Sequence, residues 1–206
     1  MQTSAGSSDL FGERGAAAMC IPAYGSEFYK LSESERDQVI EVAIEANAGR
    51  VPFIAQANHG SALVAAANAR RYERMGADVV SIAVPRLFGL TYPDVRRYHG
   101  RVADSISVPM LVQDFNPGGP TMAPAEIAEL NRQHPNSKYA KLEEPLMVDK
   151  VIAIRDRVGD RVGVLEGWGG MYMLELIPYG ICVVMPGVPL LEPLDHAFQL
   201  ARAGKV

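Results

Sequence analysis

A lysine lies in the middle of a short segment that otherwise has the pattern of a buried strand. The segment is NSKYAKLEEP. Because side chains alternate along a strand, Tyr139, Lys141 and Glu143 should share one face, and the two residues between them the other face. A desolvated lysine amine can attack a carbonyl carbon, whereas a lysine beside a carboxylate can simply be neutralised by it. A third reading is an edge strand that leaves Lys141 in water, and the segment alone fits all three.

Short apolar runs alternate with segments of helical periodicity from Gly15 onward. The seven runs are GAAAMCIPAYG, VPFIAQANHG, ADVVSIAVPR, VPMLVQDFNPGG, NSKYAKLEE, RVGVLEGWGG and GICVVMPGVP. Near-continuous apolar runs are typical of parallel strands that are buried on both faces. Strand starts recur at intervals of roughly 20 to 35 residues, which predicts serial βα units in a barrel or an open doubly wound sheet.

Helix candidates lie between the apolar runs. They are SESERDQVIEVAIEANAG, SALVAAANARRYERMG, TYPDVRRYHGRVADS, APAEIAELNRQH, MVDKVIAIRDRVG and the short GMYMLELIPYG. The first begins at Ser32, which forms a capping box with Glu35, and ends at Gly49. Turns that lead back into strands are short, so we expect functional loops at the carboxyl ends of the strands.

Length and composition predict one domain, and the strand count predicts that a barrel would be incomplete. The chain has 206 residues, of which 48% are hydrophobic and 21% charged. Residues 1–14 are polar and too few for a strand and a full helix, so we expect an N-terminal segment there and the domain over 15–206. A closed eight-stranded barrel typically takes about 250 residues. With seven strands, one βα unit is missing.

Charge and cysteine content limit the partners. A formal net charge of −4 gives no overall basic field, so we expect a small-molecule ligand and no nucleic acid. Cys20 and Cys182 lie in apolar runs without the spacing of a disulfide framework, which predicts packed, reduced thiols. No run reaches the roughly 18 apolar residues that span a bilayer, and the polar start lacks a signal-peptide pattern. The expected location is the cytoplasm, with no membrane partner.

Other polar residues follow the predicted strands. Asn58 and His59 should line the mouth of a barrel, although a surface loop explains His59 equally well. In EGWGGMY, Trp168 could pack against a substrate, while a Gly-rich turn before a helix could instead hold a phosphate. The remaining histidines show no mutual spacing, so we predict no metal site and no Ser-His-Asp arrangement.

Four segments together resemble the dihydrodipicolinate synthase/N-acetylneuraminate lyase family of class I, Schiff-base lyases and aldolases. The segments are GSEFYKLSESER, VADSISVPMLVQDFNPGG, PNSKYAKLEE and GGMYMLELIPYGICVVMPG. The resemblance runs from about Gly15 to Ala203 and lacks the family's first βα unit and its C-terminal helices. It implies an α/β fold of the (β/α)8 TIM-barrel type, a homo-oligomer (dimer or tetramer) and no cofactor.

The resemblance also implies the chemistry. The family's Schiff-base lysine falls on Lys141, and the implied substrate is a 2-keto acid such as pyruvate or a sugar-acid derivative. A lyase or aldolase that makes or cleaves a C–C bond is therefore expected. The alternative is an inert or truncated paralogue that binds or assembles without turnover, and a phosphate-binding barrel enzyme that uses the GWGG turn is a third.

Two parts of the family's site differ in this chain. Its carboxylate-binding turn aligns with AYGSEF, so Tyr24 and Gly25 stand where two threonines belong, and Ser26 stands where a glycine belongs. This turn could still offer N–H groups and the Ser26 hydroxyl to a carboxylate, and a Gly-containing turn that only connects a strand to a helix explains the segment equally well. Gln113 occupies the position of the family's relay tyrosine, with Asp114 beside it as a further substrate contact.

Glutamine can hydrogen-bond but cannot act as a general acid or base. Tyr24, Tyr139, Asp114 or Glu143 could take over proton transfer, and Glu143 is preferred because it shares the strand face of Lys141. Substrate discrimination is expected from loop residues around the mouth. Besides the residues already named, these are Arg86, Phe88 and Phe115.

Seven strands leave two unpaired edges, at GAAAMCIP and GICVVMPG. Both runs are apolar, and the pattern predicts long edge strands. Because exposed edges of this kind template pairing with another chain, we expect self-association.

Overall fold

The computed structural model of the protein describes residues 15–83, 89–116, 121–145 and 147–205. The segment predicted at 1–14 and the loop residues Arg86 and Phe88 lie outside these ranges. None of the helices in the described part of the chain is both long and apolar enough to cross a membrane.

All seven predicted strands are confirmed. They are β1 (Met19–Ile21), β2 (Phe53–Gln56), β3 (Val79–Ala83), β4 (Met110–Phe115), β5 (Ser137–Glu143), β6 (Gly163–Glu166) and β7 (Val183–Val184). Each pairs in parallel with its sequence neighbours, in the order β1 to β7. A doubly wound sheet would reverse its strand order at a switch point, so the sequential order excludes that alternative and leaves a curled half-barrel.

Helices follow the strands as the sequence predicts. They are α1 (Glu33–Asn47), α2 (Ala62–Met75), α3 (Tyr92–Ala103), α4 (Pro124–Gln133), α5 (Val148–Val158), α6 (Met173–Leu176) and α7 (Leu191–Arg202). The capping box of α1 is confirmed, since the Ser32 hydroxyl accepts from the Glu35 N–H and the Glu35 carboxylate accepts from the Ser32 N–H. Helix α7 was not among the predicted helices, because its segment, LEPLDHAFQLAR, begins without a capping signal and carries a proline.

The two faces of the sheet differ in what covers them. The outer face packs against the helices in one large apolar cluster, which includes Ala55, Val80, Val112, Ala140 and Leu142 from the strands. The inner face carries a much smaller apolar cluster of Ile54, Leu111 and Leu165. The outer cluster therefore fixes the strands, and the inner face is left for a site.

The inner face encloses a cavity of about 880 Å³ between the edge strands β1 and β7. Leu191, Leu194 and Phe198 of α7 line it on the side where the sheet does not close. A Cβ atom built on Gly15 would lie 3.1 Å from the Asp195 carboxylate, so α7 also approaches the segment before β1. Helix α7 thus lies beside the gap between the edge strands β1 and β7.

Two expectations need correction. The edge strands are short, since β1 has three residues and β7 has two, so a neighbouring chain finds only a short ladder there. Both cysteines are free thiols, but Cys182 is exposed rather than packed. Cys20 is half-buried, and its burial raises the pKa of the thiol to about 11.

We expect the 206-residue chain to self-associate, because within the described residues β1 and β7 each have a strand neighbour on one side only. The edges are short, but they border a cavity with apolar lining residues, and covering that surface favours association with another chain. Light scattering at micromolar concentration measures the outcome, and a dimer, a tetramer or larger species is expected. A monodisperse monomer of 22.3 kDa would contradict this prediction and point to α7 as the element that covers both edges.

His99 of α3 is completely buried and should make stability depend on pH. Its Nδ1 atom lies 2.8 Å from the Val95 carbonyl, while its buried Nε2 atom has no partner among the described residues. Burial lowers the pKa of His99 from 6.5 to about 4. In the unfolded chain His99 therefore binds a proton near pH 6.5, whereas in the folded chain it binds one only near pH 4.

The free energy of unfolding should consequently be constant above pH 6.5 and fall as the pH decreases from there towards 4. At about 1.4 kcal/mol per pH unit, the loss from His99 approaches about 3 kcal/mol. Urea unfolding at stepped pH measures it, and the variant His99→Asn should flatten the slope. The exposed His196 provides the control, so equal slopes in His99→Asn and His196→Asn would refute this assignment.

Candidate active site

Lys141 lies on an interior strand of the sheet. It pairs in register with Gln113 of β4 on one side and with Leu165 of β6 on the other, and only 8% of the residue is exposed. The edge-strand reading of this segment is therefore wrong. Tyr139, Lys141 and Glu143 all line the inner cavity, so the predicted common face is confirmed.

Glu143 holds the Lys141 amine. The Nζ atom lies 2.8 Å from Glu143 Oε1, and the two side chains are 10% and 11% exposed. Gln113 Nε2 donates to the same Oε1 atom at 2.5 Å. Two donors on one carboxylate oxygen keep Glu143 in place beside the amine. The structure therefore brings together the three residues that were predicted to be catalytic.

A fourth polar side chain joins this group and was missed from the sequence. Gln56 on β2 donates through Nε2 to Gln113 Oε1. The signal was present, because Gln56 interrupts an apolar run and shares the strand face of Ile54. A buried carboxamide within an apolar strand indicates a polar partner on the same face of the sheet.

Gly167, directly after β6, provides the space for the lysine side chain. A Cβ atom at this position would lie 2.6 Å from Lys141 Cγ, Lys141 Cε and Glu143 Cγ. Its N–H donates to the Leu142 carbonyl at 2.9 Å, so the backbone here is tied to β5. Any side chain larger than hydrogen would displace the ion pair.

The glycine-rich turn after β6 is closed by an internal carboxylate. Glu166 is fully buried and accepts from the N–H groups of Trp168 at 3.0 Å and Gly170 at 2.7 Å. These N–H groups are already bonded, and α6 has only four residues, so the structure does not support the phosphate alternative. Trp168 is 40% exposed and packs edge-to-face on Tyr172, outside the cavity lining.

The AYGSEF turn faces the same cavity as Lys141. Tyr24, Gly25 and Ser26 form a 3-10 turn and all three line the cavity. The Ser26 N–H donates to the Ala23 carbonyl at 3.0 Å, and the Ser26 hydroxyl accepts from the Ala23 N–H at 3.4 Å. The hydroxyl hydrogen of Ser26 is not used in this bond. The Tyr24 ring packs edge-to-face on Phe115.

Asn58 and His59 hold the loop after β2 and are not in the cavity lining. The Asn58 side chain accepts from the Ala83 N–H at 2.6 Å. The His59 Nδ1 atom accepts from the Ser61 N–H at 2.9 Å, and its carbonyl accepts from the Tyr98 hydroxyl at 2.5 Å. The structure thus places both residues in loop-holding contacts rather than with the Lys141 group.

Asp114 lies on the opposite face of β4 from Gln113. It is fully buried, accepts from the Met122 N–H at 2.9 Å and pairs with Lys150 of α5 at 2.7 Å. Burial raises the pKa of Asp114, against the opposing effect of the Lys150 ammonium. Lys150 also pairs with Glu144. The structure does not bring Asp114 to the inner cavity, since its side chain bonds Met122 and Lys150 on the other face of the sheet.

Metal ligands are not grouped in the part of the chain that the structure describes. No three His, Cys, Asp or Glu side chains in that part are placed to hold a metal ion. The polar groups that the structure does bring together on the inner face are the Lys141 amine, the Glu143 carboxylate and the two carboxamides beside them.

Comparison with known proteins gives the family. A model of the Dihydrodipicolinate synthetase family matches residues 13–187. An L-2-keto-3-deoxyarabonate dehydratase from Azospirillum brasilense is 31% identical over 202 residues, which are 96% of this chain and 65% of that protein. A 4-hydroxy-tetrahydrodipicolinate synthase from Methylobacterium radiotolerans is 26% identical over 156 residues, which are 75% of this chain and 52% of that protein. The chain thus spans less than two thirds of the length of these relatives.

Solved structures support the fold. A dihydrodipicolinate synthase from Aquifex aeolicus superposes with a TM-score of 0.90, covering 98% of this chain and 69% of that one at 21% identity. At 21% identity this structural similarity is evidence for the fold alone. It confirms that the curled sheet of seven strands has the architecture of a TIM barrel.

Substituting Gly167 by alanine should destabilise the protein by about 1–3 kcal/mol. The added methyl group would lie 2.6 Å from three side-chain carbons of Lys141 and Glu143 and would therefore overpack the site. Urea unfolding measures the change. Gly89→Ala is the matched control, since a Cβ atom there meets none of the described residues within 4 Å and should change stability by about 0.5 kcal/mol at most. Equal stabilities of the two variants would show that Lys141 and Glu143 can move aside freely.

Proposed function

Since this chain belongs to the dihydrodipicolinate synthetase family, we propose that it is a class I lyase in which Lys141 forms a Schiff base with a 2-keto acid. The observation that carries the proposal is the Lys141 amine, buried on the inner wall of a cavity of about 880 Å³ and 2.8 Å from a carboxylate. A buried ion pair is costly to desolvate. Because this ion pair lines a cavity that could hold a small molecule, a chemical role explains it better than a structural one.

Glu143 is the group that moves the proton. It first accepts a proton from the Lys141 ammonium, and the neutral amine then attacks the C2 carbonyl carbon of the keto acid. The proton lost by nitrogen and the proton held by Glu143 leave with the former carbonyl oxygen as water, and a C=N bond forms between Lys141 and C2. The resulting iminium withdraws electrons from C3, which permits bonds at C3 to be broken or made.

Gln113 supports this proton transfer without taking part as an acid or base, because a carboxamide does not titrate near neutral pH. Its N–H group holds the Glu143 oxygen that faces the amine. Tyr139 lines the cavity on the same strand face and is the second candidate for proton transfer. The assignment of Glu143 depends on its direct contact with Lys141.

The Tyr24–Ser26 turn is the proposed site for the substrate carboxylate. It lines the same cavity as Lys141, and the Ser26 hydroxyl still has a hydrogen to donate. The cavity also has an apolar wall from Ile54, Leu111 and Leu165. One relative is named for a 2-keto-3-deoxy sugar acid, which makes such acids, together with pyruvate, the first substrates to test.

Reductive trapping tests the proposal. The protein is incubated with pyruvate, or with another acid from a panel of 2-keto acids, in the presence of borohydride and then weighed by mass spectrometry. We expect one adduct, equal to the keto acid less water plus two hydrogens, on the peptide that contains Lys141. The Lys141→Met variant should give none, and Lys138→Met, which removes an exposed lysine of the same strand, should react like wild type.

Absence of an adduct with every acid of the panel would refute the Schiff-base function. An adduct on any other lysine would refute the assignment to Lys141. An adduct on Lys141 followed by release of a changed product would support the enzyme and eliminate the inert-paralogue alternative.

A further inference from the structure

A buried run of hydrogen bonds leads from β2 to the ion pair of Lys141 and Glu143. Gln56 is 1% exposed and Gln113 is 2% exposed. Gln56 Nε2 donates to Gln113 Oε1, and Gln113 Nε2 donates to Glu143 Oε1 at 2.5 Å. The same oxygen lies 2.8 Å from Lys141 Nζ. The position of Glu143 Oε1 therefore depends on the carboxamides of both Gln56 and Gln113.

The run crosses β3 where its side chains are small. In register, Gln56 lies beside Ser81, and Gln113 lies beside Ala83. Both small residues are buried and leave room above β3, so the carboxamides of β2 and β4 can meet across an intervening strand. The contact between strands that are not neighbours is thus built into the sequence of β3.

The chemistry of the groups fixes the direction of every bond in the run. An ionised Glu143 can only accept, so Gln113 must turn its NH2 group towards it. Gln113 then presents its carbonyl oxygen to β2, and Gln56 must donate to it. If Gln113 turned over, its carbonyl would face the carboxylate, and neither group could donate to the other.

Gln56 is not explained by its own hydrogen bonds. Its Oε1 atom is buried and has no partner among the described residues, and an unpaired buried acceptor destabilises the fold. An apolar side chain would avoid that cost in an apolar strand. What Gln56 provides, and an apolar residue does not, is a donor to Gln113 Oε1, which stabilises the Gln113 orientation that the Glu143 carboxylate requires.

We infer that Gln56 is a positioning residue: it fixes the rotation of the Gln113 carboxamide and thereby holds Glu143 ready to take the proton from Lys141. This inference rests on the proposed function. Gln56 acts through Gln113 and does not line the substrate cavity, so its loss should slow Schiff-base formation and leave the keto-acid concentration for half-maximal rate unchanged.

Two variants of similar size separate this role from packing. Gln56→Leu removes the donor at every pH and should slow adduct formation roughly tenfold, the effect of one lost neutral hydrogen bond. Gln56→Glu donates only while the introduced carboxyl is protonated, a form that burial favours. Its rate relative to wild type should be close to one at low pH and fall as the pH rises, whereas that of Gln56→Leu should be constant.

The measurement is the rate of borohydride-trapped adduct on Lys141 between pH 5 and 9, with urea unfolding of each variant and the exposed Gln38→Leu as the control. No adduct on the wild type would overturn the proposed function itself. A wild-type adduct with equal rates in Gln56→Leu would overturn the role of Gln56 alone. So would a ratio of Gln56→Glu to wild type that does not change with pH, which is the result expected if Gln56 only fills space.

Discussion

The ion pair of Lys141 and Glu143 is the interaction around which the inner face is organised. Removing two charges from water costs several kcal/mol unless good geometry and further hydrogen bonds compensate. Here the compensation comes from Gln113, which gives the Glu143 oxygen a second donor, and from Gly167, whose missing side chain leaves the space that the pair occupies. A change in either residue would leave a charge poorly paired within the protein.

Apolar packing on the outer face stabilises the sheet, so the inner face can carry buried polar groups. Ala140 and Leu142, the neighbours of Lys141 along β5, are completely buried against the helices. Strand alternation therefore fixes the direction of Lys141 through neighbours whose side chains point to the opposite face. A second buried group, Asp114 with Lys150, ties the loop after β4 to α5. Apolar packing and the ion pair of Asp114 and Lys150 hold the strands, so the pair of Lys141 and Glu143 need not contribute to the fold.

Much of the fold could be predicted from the sequence, because apolar runs and helical periodicity report burial directly. The common face of Tyr139, Lys141 and Glu143 followed from alternation alone, whereas its inward direction depended on the barrel that the resemblance implies. The errors have a common cause, since a strand pattern shows which residues share a face but not what lies opposite them. Asp114 was assigned to the site from its neighbour Gln113, although adjacent residues of a strand point apart, and its partner Lys150 is 36 residues away. Gln56 needed knowledge of a contact over 57 residues.

The sequential strand order has a consequence for how the chain folds. Among the described strands, each pairs only with the strands just before and after it, so each pairing closes one βα unit, although parallel pairing across such a unit is slower than the formation of local contacts. During synthesis, β1 to β4 can assemble before β5 leaves the ribosome, and Gln56 and Gln113 can meet before Glu143 is made. Lys141 would then reach its partners as its own strand is added, on a surface already shaped to receive it.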